Sequence, residues 1–224
     1  MPKRSHASLA TTSLQTKPCL TCAREITPRA ALARNWAEVK YCSDACRAQR
    51  RAKAVLSVDT FDPSSPSTGY KGCLWLRLLV FDAQKQRWQL NVEDWVELSL
   101  YTIAAQASKK HTCEDVEAFL LTQCRPNKPP SDHEGLAATQ QTMLEKALAA
   151  PPGLCERVRR AARRCLIFAG EEKKEEDEAR EILRRLEEEV RPKGKAFTLK
   201  QGSKILITLH DVSFAKGPIE VGFT

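Results

Sequence analysis

The sequence predicts an α+β protein in two parts: a small metal-organised module, then a larger helical domain ending in a hairpin. Three observations predict it. Four of the nine cysteines fall in two short-spaced pairs, Cys19-Leu-Thr-Cys22 and Cys42-Ser-Asp-Ala-Cys46, with 19 residues between them. The net charge of +8 is carried by the first 58 residues, which hold 11 Lys or Arg against Glu25, Glu38 and Asp44; the rest balances to zero. After residue 90, helical periodicities give way to short alternating runs broken by glycine. The segments these imply are a basic tail at 1–17, a four-cysteine module at 18–54, a linker at 55–71, and a domain at 72–224 with a charged helical insertion at 171–195.

The tail is Ser/Thr-rich and free of acids, which fits a solubilising segment and, as a lesser reading, an organelle transit peptide. It has no apolar core of the kind a secretory signal needs. No apolar run approaches a membrane span, so no membrane role is expected. Nine cysteines without a secretory signal point to a reducing, intracellular compartment, nuclear or cytoplasmic, and against a disulfide framework.

Cys19, Cys22, Cys42 and Cys46 are the expected ligands of one structural Zn²⁺. Two close pairs need only one loop closure to bring four soft donors to about 2.3 Å from an ion. A closed four-cysteine set leaves no site for bound water, so metal catalysis is not expected. Cys19 and Cys22 fall in a turn after Pro18. Residues 26–41, with Trp36, Val39 and Tyr41, suggest a hairpin. Ser43 can cap a helix that carries Cys46 in its first turn. Knuckle, hairpin and helix together make a treble-clef-like arrangement. Arg47, Arg50, Arg51 and Lys53 continue that helix beyond the metal, where they can reach phosphates.

The run from Cys19-x-x-Cys22 through Trp36-Ala-Glu-Val39-Lys-Tyr41-Cys42-Ser43-Asp44-x-Cys46-Arg47 resembles a small uncharacterised family, domain of unknown function twenty-two fifty-six, over residues 18–53. The resemblance implies a bound zinc and no assigned activity.

Residues 57–71 are rich in Ser, Pro and Asp, as linkers are. Cys73 to Phe81, a mostly apolar run with Trp75, reads as a strand, with a buried helix as the alternative. Asn91 can cap a helix through Trp95, Leu98 and Ile103, and Thr112 with Asp115 can form a capping box for the next. A polar loop is expected at 125–134. The helix from Leu154 to Ala169 sets Val158, Ala161, Ala162, Cys165 and Leu166 on one side and Arg157, Arg159, Arg160, Arg163 and Arg164 on the other, with Gly170 closing it. The insertion carries an apolar stripe, Ala179, Ile182, Leu183, Leu186 and Val190, and four-spaced pairs such as Glu181 and Arg185. Strands follow at 196–200, 204–209 and 219–223, the first two joined by a turn at Gln201-Gly202.

Helix, short helix, arginine helix and hairpin is the order of a winged helix, whose third helix can enter a major groove about 12 Å wide. Residues 93–223 resemble a second family, domain of unknown function thirty-two fifty-three, through Val158-Arg159-Arg160-Ala161-Ala162-Arg163-Arg164, Gln201-Gly202-Ser203-Lys204 and Lys216-Gly217-Pro218-Ile219. That resemblance implies a winged-helix-like fold.

The function expected on this basis is non-catalytic nucleic-acid binding, to DNA or RNA. The basic residues after the zinc, the five helix arginines, and Lys200 and Lys204 of the wing would make the contacts. The alternative is a protein-interaction adaptor that docks partners on the stripe of the insertion helix. No P-loop, G-x-G-x-x-G, H-E-x-x-H or G-x-S-x-G pattern occurs, and His6, His111, His133 and His210 sit in unrelated contexts, so no enzyme is expected.

Overall fold

The structure is a computed structural model that describes residues 15–49, 55–58, 70, 72–106, 111–126, 134–168, 178–214 and 218–224. Most of the expected basic tail, Arg50, Arg51, Lys53, the proposed Gly170 cap and the acidic start of the insertion lie outside the described residues.

The chain is mixed helix and sheet, with the four cysteines clustered near its N-terminus. Strands β1 (Lys17–Pro18) and β2 (Glu25–Ile26) pair across the first cysteine pair, so the hairpin is the knuckle itself. The hairpin expected at 26–41 does not form. Ala30–Glu38 is a 3₁₀ stretch instead, since this alanine-rich run lacks the alternation that would give a strand a buried face. Helix α1 (Asp44–Ala48) begins where Ser43 accepts from the Cys46 amide.

Of the segment expected as a linker, residues 59–69 and 71 lie outside the described residues. Val55–Val58 forms β3, which pairs antiparallel with β5 (Arg87–Asn91), and β4 (Val80–Asp82) takes the other side of β5. The strand expected over Cys73–Phe81 is a 3₁₀ turn at Leu74–Leu78 followed by β4. Trp75 and Leu78, one such turn apart, are both buried, and the Trp75 indole N–H donates to the Gln123 carbonyl at 3.1 Å.

Helix α2 (Val92–Ala104) is the centre of the larger core. Asn91 caps it by accepting from the Glu93 amide. It is buried almost all round, every residue but Thr102 being covered, its carboxylates included; Trp95, Val96, Leu98 and Leu100 are fully buried. Each such side chain contributes about 1.5–3 kcal/mol over its exposed state. Strand β6 (His111–Thr112) leads into α3 (Cys113–Gln123), where the Thr112–Asp115 capping box forms. Helix α4 (Glu134–Ala149), which the sequence reading leaves unassigned, places Leu144 and Leu148 in the core. Helix α5 (Leu154–Ile167) follows, then α6 (Glu178–Val190).

The apolar stripe of the insertion is not a free surface. Leu183 and Leu186 are buried, Ile182 and Val190 pack against the same core, and α6 lies on α2. This corrects the docking face expected for an adaptor: the stripe is already covered by the chain's own core, with α6 packed on α2.

Strands β7 (Phe197–Gln201) and β8 (Lys204–Leu206) form a hairpin that turns at Gly202, where φ of +60° favours glycine. A short helix α7 (Leu209–Phe214) precedes β9 (Glu220–Phe223). The last sheet has the antiparallel order β6-β9-β7-β8. No helix among the described residues is long and apolar enough to cross a membrane.

Candidate metal centre

Two short elements present the four sulfurs. In the knuckle, the Cys19 amide donates to the Arg24 carbonyl at 2.9 Å and the Ala23 amide to the Cys19 carbonyl at 2.8 Å. This tight turn holds Ala23 at φ +52°, in the left-handed region. Cys42 ends the irregular segment and Cys46 sits in the first turn of α1. Three bonds tie the halves together. The Leu20 amide donates to the Lys40 carbonyl at 3.0 Å, the Thr21 hydroxyl to the Cys46 carbonyl at 2.9 Å, and the Cys42 amide to the Cys19 sulfur at 3.4 Å.

All four sulfurs lie within 4.8 Å of one another. Cys22 and Cys42 are 3.6 Å apart, and Cys42 and Cys46 3.5 Å. A regular tetrahedron with bonds of about 2.3 Å puts sulfurs about 3.8 Å apart, so the four side chains could hold one metal ion. Cys19, Cys22 and Cys46 are buried and Cys42 is exposed. Bonding from the Cys22 thiol, then from the amides of Cys22, Cys42 and Thr21, outweighs burial and lowers Cys19 to about 4, towards the thiolate that binds metals. Burial first, then the neighbouring Cys19 charge, pushes Cys42 up to about 11. Ile26 packs with the cysteines, and Trp36, Val39 and Tyr41 cover them. Lys17 lies over the Trp36 ring, 4.6 Å from its centre.

The arginines of α5 are placed otherwise than the helical wheel implies. Arg157, Arg163 and Arg164 are buried, each about 4–5% exposed. Arg157 pairs with Glu93, and Arg164 pairs with Glu97 and stands 3.9 Å from Glu93. On the side facing the cysteine cluster, Arg163 Nε–H donates to the Cys22 carbonyl at 2.7 Å and Arg164 Nη1–H to the Thr21 carbonyl at 3.2 Å. Arg160 reaches Gln49 Oε1 at 2.7 Å. Arg159 is half-buried. The solvent-facing recognition surface expected from Arg157, Arg160, Arg163 and Arg164 is therefore corrected. Helix α5 is enclosed by α2 on one flank and by the cysteine module on another. Arg157 and Arg164 form interior ion pairs, and Arg163 and Arg164 form a seam against the cysteine module. Elsewhere, Lys200 is half-buried on β7, Lys204 is paired with Asp211 at 2.6 Å, and Arg47 is exposed 3.7 Å from Asp44.

Glu156, Thr21 and Gln49 complete the seam, and no sequence signal marks them. The carboxylates of α2 do leave one: Glu93 and Glu97, four apart on an apolar helix, match Arg157 and Arg164, seven apart on α5. A second tether joins α7 to β2, where His210 meets Glu25 at 3.1 Å.

Glu156 carries a pH dependence. Burial alone would push its carboxyl up, but the Arg163 and Arg24 guanidiniums outweigh this and hold it below the ordinary value. Its contribution to docking is then fully present above the unfolded value of about 4.3 and is lost as pH falls through the lowered folded value. At pH 7, hydrogen exchange of residues 19–24 should be faster in Glu156→Gln than in the native protein, because the neutral amide pairs more weakly with Arg24, Arg160 and Arg163; equal exchange would refute this assignment.

No curated protein matches the chain, and no solved structure does. The resemblance of residues 93–223 to a second family gains no support. Residues 10–49, which carry all four cysteines, match the model of a family described as an uncharacterized protein conserved in bacteria (DUF2256).

Proposed function

We propose that Cys19, Cys22, Cys42 and Cys46 hold one structural zinc ion, and that the chain is a non-catalytic nucleic-acid-binding protein whose contact surface is the zinc module. Four thiolates select a soft or borderline ion such as zinc. They also fill its coordination sphere, so the ion supports the fold and leaves no position for a reacting water.

The observation that carries the reading is the cation excess on the outside of the module. Arg24, Arg29, Arg34, Lys40 and Arg47 are exposed there, against exposed Glu38 and Asp44. Cations displayed on a rigid, metal-braced frame attract polyanions and release their counterions. The helix arginines are not part of this surface. For the larger domain, the order β6-β9-β7, with β6 between α2 and α3 and β7 after α5, supports a winged-helix-like reading. In that reading α4 and α6 are additions, and the third helix serves as an internal support.

Band-shift titrations with duplex DNA, single-stranded DNA and RNA at low salt test this. Binding to at least one is expected, with affinity falling steeply as salt rises. Arg29→Glu with Arg34→Glu and Arg47→Glu should reduce affinity by at least about tenfold and flatten the salt slope by about 3. Absence of a shift with all three probes ends this reading.

A protein-adaptor reading now rests on different residues. Ile205, on the outer strand of the last sheet, and Ile207, just past its end, are 45% and 73% exposed. An apolar sheet edge suits strand addition by a partner. Such binding would be nearly insensitive to salt, which separates the two readings.

A further inference from the structure

We propose that Arg163 and Arg164 of α5, with the surrounding guanidinium excess, form an outer shell of the metal centre that sets its affinity from the other half of the chain.

The geometry puts a cation on each of two successive knuckle carbonyls. Arg164 donates to the oxygen of Thr21 and Arg163 to the oxygen of Cys22. The two peptides that flank Cys22 on this side therefore each have a guanidinium on the oxygen, which sets two positive charges against the backbone that carries the Cys22 thiol.

The local charge count points the same way. Three guanidiniums, those of Arg24, Arg160 and Arg163, converge on one carboxylate oxygen, Glu156 Oε1, at 3.4, 3.3 and 3.0 Å. Two positive charges are left over in that cluster. A divalent ion held by four thiolates carries two negative charges in excess, and three of these thiolates are buried. Burying such a centre is costly without opposite charge nearby. The seam supplies that charge on the side where the knuckle meets α5. Outer-shell partners of metal ligands commonly govern affinity by 10- to 100-fold. The inference needs metal at the four cysteines and is independent of nucleic-acid binding.

The test is zinc competition against a chromophoric chelator in the full chain, with the wild-type protein first establishing stoichiometric uptake. Arg163→Gln should bind zinc about 10- to 100-fold more weakly, and Arg163→Lys, which restores the charge, should recover most of the loss. With cobalt(II) as probe, the sulfur-to-metal charge-transfer band should move to lower energy in Arg163→Gln, because the thiolates lose a stabilising cation; a packing role alone leaves that band in place. Arg24 is about half exposed, so Arg24→Gln keeps the core and decides the matter if Arg163→Gln fails to fold. It should weaken zinc binding a few-fold at low salt and match wild type at high salt. Unchanged affinity in Arg24→Gln, or Arg163→Lys as weak as Arg163→Gln, overturns the proposal.

Discussion

Cys42→Ser is expected to abolish stoichiometric zinc binding and to unfold residues 18–49 while the larger unit stays folded. Cys42 stands 3.6 Å from the Cys22 sulfur and 3.5 Å from that of Cys46, so its loss opens the centre of the ligand set. Structural zinc contributes on the order of 10–16 kcal/mol of apparent binding energy. The module's own apolar resource is small: Ile26, with Trp36, Val39 and Tyr41 partly covered. Nothing there offsets a loss that exceeds the whole stability of many domains, about 5–15 kcal/mol. The core around α2 does not depend on the metal and should unfold at a temperature only modestly lower. That decrease reflects the hydrogen bonds from Arg163 and Arg164 to the knuckle, which water would replace. Metal analysis and residue-resolved hydrogen exchange give the readout. Retention of one zinc per chain in Cys42→Ser would contradict the ligand assignment.

Arg164→Met should destabilise the larger unit by about 3–5 kcal/mol, the usual cost of orphaning a buried charge. Arg164 is 4% exposed and sits between Glu97 and Glu93 on α2, both nearly as buried. Removing the guanidinium leaves these carboxylates in a poorly solvated space, with Arg157 as the remaining cation on Glu93. In a unit of this size the loss corresponds to a drop on the order of 10 °C in Tm. Changing Glu97→Leu in the same chain should restore most of the stability, because an apolar pair needs no compensating charge. Urea titration of the single and double variants measures both. A loss below about 1 kcal/mol in Arg164→Met would mean that water reaches the pair.

Much of the local structure was legible in residue types. Asn91, Thr112 and Ser43 start their helices because a short polar side chain satisfies an orphan amide wherever it stands. The four-cysteine cluster was legible because the spacing of the two pairs limits the loop that must close. The 3₁₀ stretches at 30–38 and 74–78 and strand β3 were not. Each meets a distant partner: Gln123 for Trp75, strand β5 for Val55–Val58, and the Lys17 ammonium for the Trp36 carbonyl of the first 3₁₀ stretch.

The arginines of α5 show most clearly where sequence stops. The periodicity of α5 correctly divides the helix into an apolar and a cationic side, and the sequence by itself establishes the two cysteine pairs and the cation excess of the N-terminal segment. The periodicity of α5 does not determine what lies against its cationic side. That was decided by α2, which brings Glu93 and Glu97, and by the knuckle, which brings two carbonyls. The physical reason is that an amphipathic pattern records solvation against apolar packing. A guanidinium is as well satisfied by buried carboxylates and carbonyls as by water or phosphate, and only the folded chain determines which of them it meets.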